Sequence, residues 1–384
     1  MIDLEEDAVA RHVLSQLIEP GDPVVGRAIQ ESGAPQVLRH FQALENAKPG
    51  LPGMRRLKLP SRWQTDRAIE SMRRETELAV RLGVDFIYPG TPEWPTQLSD
   101  LGARSPLILR SRGQLRLRSI AVRGIGIVGA RACTRYGQEI TEELASRLAS
   151  NDWVIISGGA YGIDAAAHRG AVSVGGPTIA VSAAGVDQSV PASNSFLFEA
   201  IAEVGAVVSE VPLGAHPTRS RFLMRNRLIA ALSRGVVVTE AALRSGSLST
   251  AREASQLGRI LMAVPGPVTS LSSAGGHDLI KEGMASLVTG HNDVLELLRV
   301  INPDPDATCQ TRYDQVLMAA LCDGLANELS PPLGIDELSA KVQLPVDEVL
   351  VGLSSLETRQ LVDRSQEGWQ LVRKRSQRHK HPPS

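Results

Sequence analysis

Five arginines, Arg219, Arg221, Arg225, Arg227 and Arg234, fall between Val211 and Thr239, and that stretch contains no acidic residue. Arg221 and Arg225 are spaced i, i+4 and so share a helix face, with Arg219 just upstream and Phe222 among them. A guanidinium presents a planar fork of donors that suits phosphodiester oxygens, and a ring between such forks can stack one base. A solvated face in an arginine-rich chain would show the same residues, but not the same lack of counter-charge. Three turns elsewhere suit the same ligand chemistry. Gly129-Ala130-Arg131 precedes a helix from about Tyr136, Ser157-Gly158-Gly159 opens another, and Ser245-Gly246-Ser247 a third. Glycine-rich turns at helix N-termini expose amides to an anion, and Arg131 adds a phosphate fork. Asp164 is expected to cap its helix, and His168, one turn later, to be packed or hydrogen-bonded.

Motifs for other chemistries are missing. The chain has no G-x-x-x-x-G-K-[ST], no H-E-x-x-H and no G-x-S-x-G. Gly124-Ile125-Gly126-Ile127-Val128-Gly129 spells G-x-G-x-x-G, but the apolar strand lies inside the string, so only Gly129 stands where a dinucleotide turn needs it. Cys133, Cys309 and Cys322 are odd in number and far apart, which excludes a disulfide framework and a Cys-x-x-Cys knuckle. The expectation is a binding protein without cofactor, metal or catalytic group.

The elements that must hold these residues follow from length and pattern. At 384 residues the chain needs two or three domains. Its 42 acidic and 41 basic residues nearly cancel, which excludes a histone-like protein but not a local basic site. Aromatics at 3% argue against base stacking as the main device. No apolar run is long enough to span a membrane, and residues 1–20 do not read as a secretory leader, so a cytoplasmic location is expected.

Residues 1–75 read as helices broken by Gly and Pro, and 76–113 as a Pro-punctuated connection ending in a short strand, Leu107-Ile108-Leu109. From 114 to 300 short β-branched runs alternate with amphipathic stretches: Ile125–Val128, Trp153–Ile156, Thr178–Val181, Ala206–Val208, Val236–Thr239 and Ile260–Val264. Apolar strands separated by helices predict a doubly wound α/β fold around a mainly parallel sheet. A linker, 301–309, leads to three short helices, Val316–Leu321, Ile335–Val342 and Val346–Leu356, and two strands about Gly368. That pattern predicts a winged helix over 310–373, followed by a basic tail, 374–384.

Taken together, several strings resemble the DNA-processing protein A family, also called DprA or Smf. They are Ile127-Val128-Gly129-Ala130-Arg131, Ser157 through His168, Phe222 through Ala230, Glu240-Ala241 with Ser245 through Ala251, and Gly258-Arg259 through Gly266. The resemblance implies an extended Rossmann domain that binds single-stranded DNA, self-associates as a homodimer and loads the recombinase RecA on incoming DNA. The helical start, a SAM-like domain, and the winged-helix end resemble the longer members. Arg131 falls where the family has a phosphate-binding arginine, Phe222 matches the phenylalanine near the strand, and Arg219 stands at a basic position. Arg225, Asn226 and Arg227 match the family's Arg-Asn-Arg. Ala130, Leu223 and Val190 depart from a usual serine, proline and tyrosine.

The implied interface is Gly129, Arg131, Gly158, Gly159, Arg219, Phe222, Arg225, Asn226, Arg227, Ser245, Gly246 and Ser247. One reading needs no family. The third helix of the expected winged helix carries Asp347, Glu348 and Glu357 and no basic residue before Arg359, so it suits a protein partner better than a DNA groove. Two alternatives stand beside the leading one. The first is a Rossmann-like nucleoside-monophosphate phosphoribohydrolase, disfavoured because Ser245–Thr250 replaces that superfamily's Pro-Gly-Gly-x-Gly-Thr turn. The second is a winged-helix, nucleotide-sensing regulator.

Overall fold

Val154 and Ile156 pack in one hydrophobic core while Ile155, between them, packs in another, and Val236, Val237 and Val238 alternate in the same way. A strand whose two faces are both apolar must be covered on both sides. In the computed structural model the described residues are 4–301, except 49, 52, 53, 55, 56, 61, 62, 115 and 116, together with 333–342, 346, 349, 350, 353, 354, 357, 362–365 and 368–371. They form two units, 1–298 and 299–384.

The first unit opens with helices α1 (Leu4–Ser15), α2 (Pro23–Ser32), α3 (Ala34–Glu45) and α4 (Thr65–Leu82). Then come β1 (Val84–Ile87), β2 (Leu109–Gly113), α5 (Leu117–Ala121), β3 (Gly124–Val128), α6 (Arg135–Ala149), β4 (Val154–Ser157) and α7 (Ile163–Ser173). They are followed by β5 (Thr178–Val181), α8 (Ser195–Val204), β6 (Ala206–Ser209), α9 (Arg219–Leu232), β7 (Gly235–Val238) and α10 (Ser247–Gln256). β8 (Ile260–Ala263), α11 (Ala274–Lys281), β9 (Ser286–Leu287) and α12 (His291–Ile301) complete the series.

The nine strands lie in the order β1-β2-β6-β5-β4-β3-β7-β8-β9. All neighbours from β6 to β9 are parallel, as the alternation of strands and helices predicts, while β1–β2 and β2–β6 are antiparallel. Helices α9, α10 and α11 cover one face, and α6, α7 and α12 the other. Within β3, Gly124 and Gly126 serve packing: a Cβ on either would overlap the Leu232–Ser233 end of α9 or neighbouring core side chains.

The connection expected over 76–113 is in part regular structure. It supplies the end of α4 and two strands, and the strand expected at 107–109 runs instead from 109 to 113. Its polar sequence hides a buried strand because Arg110, fully buried, is satisfied by Glu75 on α4 at 2.7 and 2.9 Å and by the Glu210 carbonyl at 2.6 Å. Glu75 also meets His12 of α1 at 2.9 Å and the Leu213 amide at 2.8 Å. Burial alone would raise the Glu75 pKa, but hydrogen bonds from His12 and Arg110 outweigh it and hold the carboxyl far below the ordinary carboxylate range. A polar network thus ties α1 and α4 to the sheet, while Phe41, Trp63, Leu14 and Val37 close an apolar core among the N-terminal helices.

In the second unit, helix α13 (Ile335–Val342) and the antiparallel strands β10 (Val362–Ser365) and β11 (Gly368–Leu371) share a core of Leu338, Val349, Leu353, Val362 and Trp369. Of the expected linker, Ile301 ends α12, while the rest of it, the first helix Val316–Leu321, Cys309, Cys322 and the basic tail lie outside the described residues, as do Asp347 and Glu348.

Candidate nucleic-acid interface

The strand order reverses between β3 and β7, and ligands of open α/β sheets bind at the carboxyl ends of the strands beside such a reversal. The loops after β3 and β7 meet there: the Ala130 amide donates to the Glu240 carbonyl at 2.7 Å. The N-terminus of α6, where a dinucleotide's pyrophosphate would sit, is already occupied. Glu240 places its carboxylate on it, accepting from the Thr134 amide at 2.8 Å, the Thr134 hydroxyl at 2.7 Å and the Ser272 hydroxyl at 3.2 Å. The carboxylate is buried and fills the space above Gly137, where a Cβ would overlap it. An internal anion satisfies the helix dipole that an external one would need. Gly129 accordingly has a packing reason to be glycine: a Cβ would overlap Ile163 and the Glu240 carbonyl.

The cationic groups gather one loop away. Arg131 is exposed, and its guanidinium lies over the Phe222 ring, 4.8 Å from the centroid. Phe222 stands on the first turn of α9, whose N-cap Thr218 accepts from the Arg221 amide at 3.2 Å, and Arg219 is exposed on the same turn. Among the described residues no ion pair involves Arg131, Arg219 or Arg225.

Arg225 is buried beneath this surface. Its guanidinium occupies the space over Gly158, so a Cβ there would overlap it and displace the arginine. Its Nε and Nη1 have no hydrogen-bond partner among the described residues, and burial, offset in part by Asp164 and reinforced by Arg131, lowers its pKa. Asp164 is an opposite charge acting on it, yet burial raises its own pKa, against Arg225 and hydrogen bonds from the Gly158–Ala160 turn and Ser157. It therefore braces the β4–α7 turn from behind, and the N-cap position of α7 belongs to Gly162, which the expected aspartate cap does not fill. Gly159 has φ of +70° and leaves room for the Phe198 ring.

His168 is packed, as expected. The Thr178 hydroxyl donates to the Ile155 carbonyl at 2.7 Å and accepts from His168 Nδ1–H at 2.8 Å, which fixes the neutral tautomer. Burial and then the Arg225 charge lower its pKa to about 3.

Other expected interface residues turn inward. Arg227 is almost wholly buried and forms a two-point ion pair with Glu210, one bond at 2.8 Å. In this structure its guanidinium is committed to a buried carboxylate, which turns it away from the expected DNA contact. Arg221 donates to both carboxylate oxygens of Glu19, at 3.0 and 2.9 Å, and to the His216 carbonyl. Asn226 is buried and reaches the Gly246 carbonyl at 3.4 Å, tying α9 to the Ser245–Ser247 turn. There Ser245 and Ser247 hydrogen-bond each other at 2.7 Å, Ser247 is buried and Gly246 is exposed. Glu19, Glu210 and the structural part of Glu240 were missed by sequence reasoning, because helix period and charge counts carry no record of pairing between distant elements.

The profile of the DNA recombination-mediator protein A family matches residues 85–299, more than half of the chain. The chain belongs to the DNA recombination-mediator protein A family. A DNA processing protein DprA of Mycobacterium tuberculosis is 41% identical over 332 residues, 82% of each chain. The crystal structure of DNA processing protein A from Streptococcus pneumoniae, 34% identical, superposes with a TM-score of 0.55 over 68% of this chain and 92% of that one. DNA processing protein A from Helicobacter pylori, whose structure describes how that protein binds single-stranded DNA, is 30% identical with a TM-score of 0.50, covering 56% of this chain and 95% of that one. The chain is thus a DNA-processing family member with an α/β fold and a mostly parallel sheet. No helix among its described residues is long and apolar enough to cross a membrane.

Proposed function

We propose that the protein binds single-stranded DNA along the carboxyl edge of its sheet and passes it to a RecA-type recombinase, without catalysing a reaction itself. One observation carries this reading: Arg131, Arg219 and Arg225 cluster around Phe222 and Gly158 with no ion pair among the described residues. A guanidinium with unpartnered nitrogens is costly in a dry site, and a phosphodiester oxygen lying over the Gly158 turn would satisfy it. The Helicobacter pylori relative supports the choice of single-stranded DNA, and the family's description as a recombination mediator supports hand-over to a recombinase. The same reading makes the protein a cytoplasmic homodimer. The N-terminal helices are a SAM-like domain, and the second unit is a winged helix whose acidic third helix meets protein and not DNA.

Fluorescence anisotropy of a labelled single strand and of its duplex, titrated with salt, tests the binding. Tight, salt-steep binding with single-strand preference is the expected result; no binding at low salt would remove the site.

A further inference from the structure

Phe, Tyr and Trp are scarce in this chain, yet the exposed ones are not scattered. Among the described residues the exposed aromatics are Tyr136, Tyr161 and Phe196, and each lies between a carboxyl strand end and the first turn of the next helix, after β3, β4 and β5. All four tryptophans are buried. Tyr136 is engaged elsewhere, its hydroxyl donating to the Pro265 carbonyl at 2.8 Å. Tyr161 and Phe196 are 53% and 89% exposed, so each offers much of its ring to the solvent at this edge.

Their loops form one connected ledge with Arg131. Gly162, with φ of +74°, lets the β4–α7 loop lie directly on the Ala130 and Arg131 carbonyls, and the Ile163 amide donates to the Ala130 carbonyl at 3.2 Å. On its other side, the Tyr161 hydroxyl accepts from the Ser193 hydroxyl at 3.1 Å, and Asn194 donates to the Gly159 carbonyl at 3.2 Å. Phe196 follows two residues later on the first turn of α8. The contacts therefore run from the Phe222 ring to Arg131, from the Arg131 backbone to Gly162 beside Tyr161, and from Tyr161 to Ser193, in the direction of strand order from β3 through β4 to β5.

We propose that Tyr161 and Phe196 extend the DNA site beyond Arg131 and stack successive bases of a single strand, while the arginines hold its phosphates. This rests on the single-stranded DNA reading above and adds to it the source of strand preference. Only unpaired bases can offer their faces to a ledge of rings, whereas phosphates are available in single strand and duplex alike.

The test uses the full chain with Tyr161→Ala, Phe196→Ala and the double substitution, all at exposed positions. Anisotropy with a mixed-sequence oligonucleotide should show affinity down roughly tenfold per ring. The slope of log affinity against log salt should stay unchanged, since no phosphate contact is removed. Tyr161→Phe should restore wild-type affinity, and the double variant should lose most of the preference for single strand over duplex. On an abasic strand of equal length, wild type and variants should bind alike. Wild-type affinity in both alanine variants, with wild type itself binding, would overturn this extension alone. Failure of the wild type to bind any single strand would overturn the site and the extension together.

Discussion

The guanidinium of Arg131, on the loop after β3, lies 4.8 Å from the centre of the Phe222 ring, on the first turn of α9. Each residue orders the other: the ring face attracts the cation, and the cation holds the ring at the sheet edge. Arg131→Ala is expected to weaken single-stranded DNA binding about tenfold across all sequences and to make the salt slope shallower by about one. Phe222→Leu keeps apolar bulk but removes the ring face, so it should weaken binding severalfold with the slope retained. Anisotropy over a salt series separates the two, and unchanged affinity in both variants would remove the proposed groove.

Glu240 should behave as a structural anion. Glu240→Gln leaves the Thr134 donors facing a neutral group at the start of α6, which is expected to cost about 1–2 kcal/mol of stability. Equilibrium unfolding in urea measures it. The same variant should still fail to bind dinucleotides by calorimetry, because the amide fills the same space above Gly137.

The Glu75 network predicts an acid limit. Its carboxyl is held below the ordinary value of 4.5, so the folded state takes up its proton at lower pH than the unfolded state. That stabilisation is complete above about pH 4.5 and declines as pH falls further. Glu75→Gln should cost about 3–5 kcal/mol at neutral pH, because Arg110 is left buried without its counter-charge. The gap between variant and wild type should narrow below pH 4.5 in unfolding curves taken across pH.

His168 acts in a higher window. Its pKa falls from 6.5 unfolded to about 3 folded, so protonation favours the unfolded chain and stability drops as pH falls below 6.5. Between pH 6.5 and pH 5 the wild type should lose about 2 kcal/mol. His168→Phe should lack that slope while retaining the acid transition assigned to Glu75. A wild-type curve that is flat across this range would contradict the buried neutral imidazole.

Much of the fold was legible because its signals are local. Val236-Val237-Val238 is apolar on both faces wherever it sits, so a strand covered on both sides is legible from residue type alone. β1 was not read as a strand, and β2 was placed at 107–109, short of its polar end. Arg110-Ser111-Arg112 reads as surface, and only Glu75, brought from α4, makes burial of Arg110 tolerable.

The sequence by itself determined the alternation of strands and helices, the glycine-rich turns at the strand ends and the arginine-rich segment without acids. These depend on residue type and short-range spacing. Tertiary structure decided which charges remain available. Arg227 and Arg221 are consumed by Glu210 and Glu19, Glu240 takes the helix N-terminus, and Arg131, Arg219 and Arg225 are left without ion pairs among the described residues. Coulomb interaction depends on distance through space, so a carboxylate far away in the chain can cancel a charge that its neighbours in sequence leave exposed.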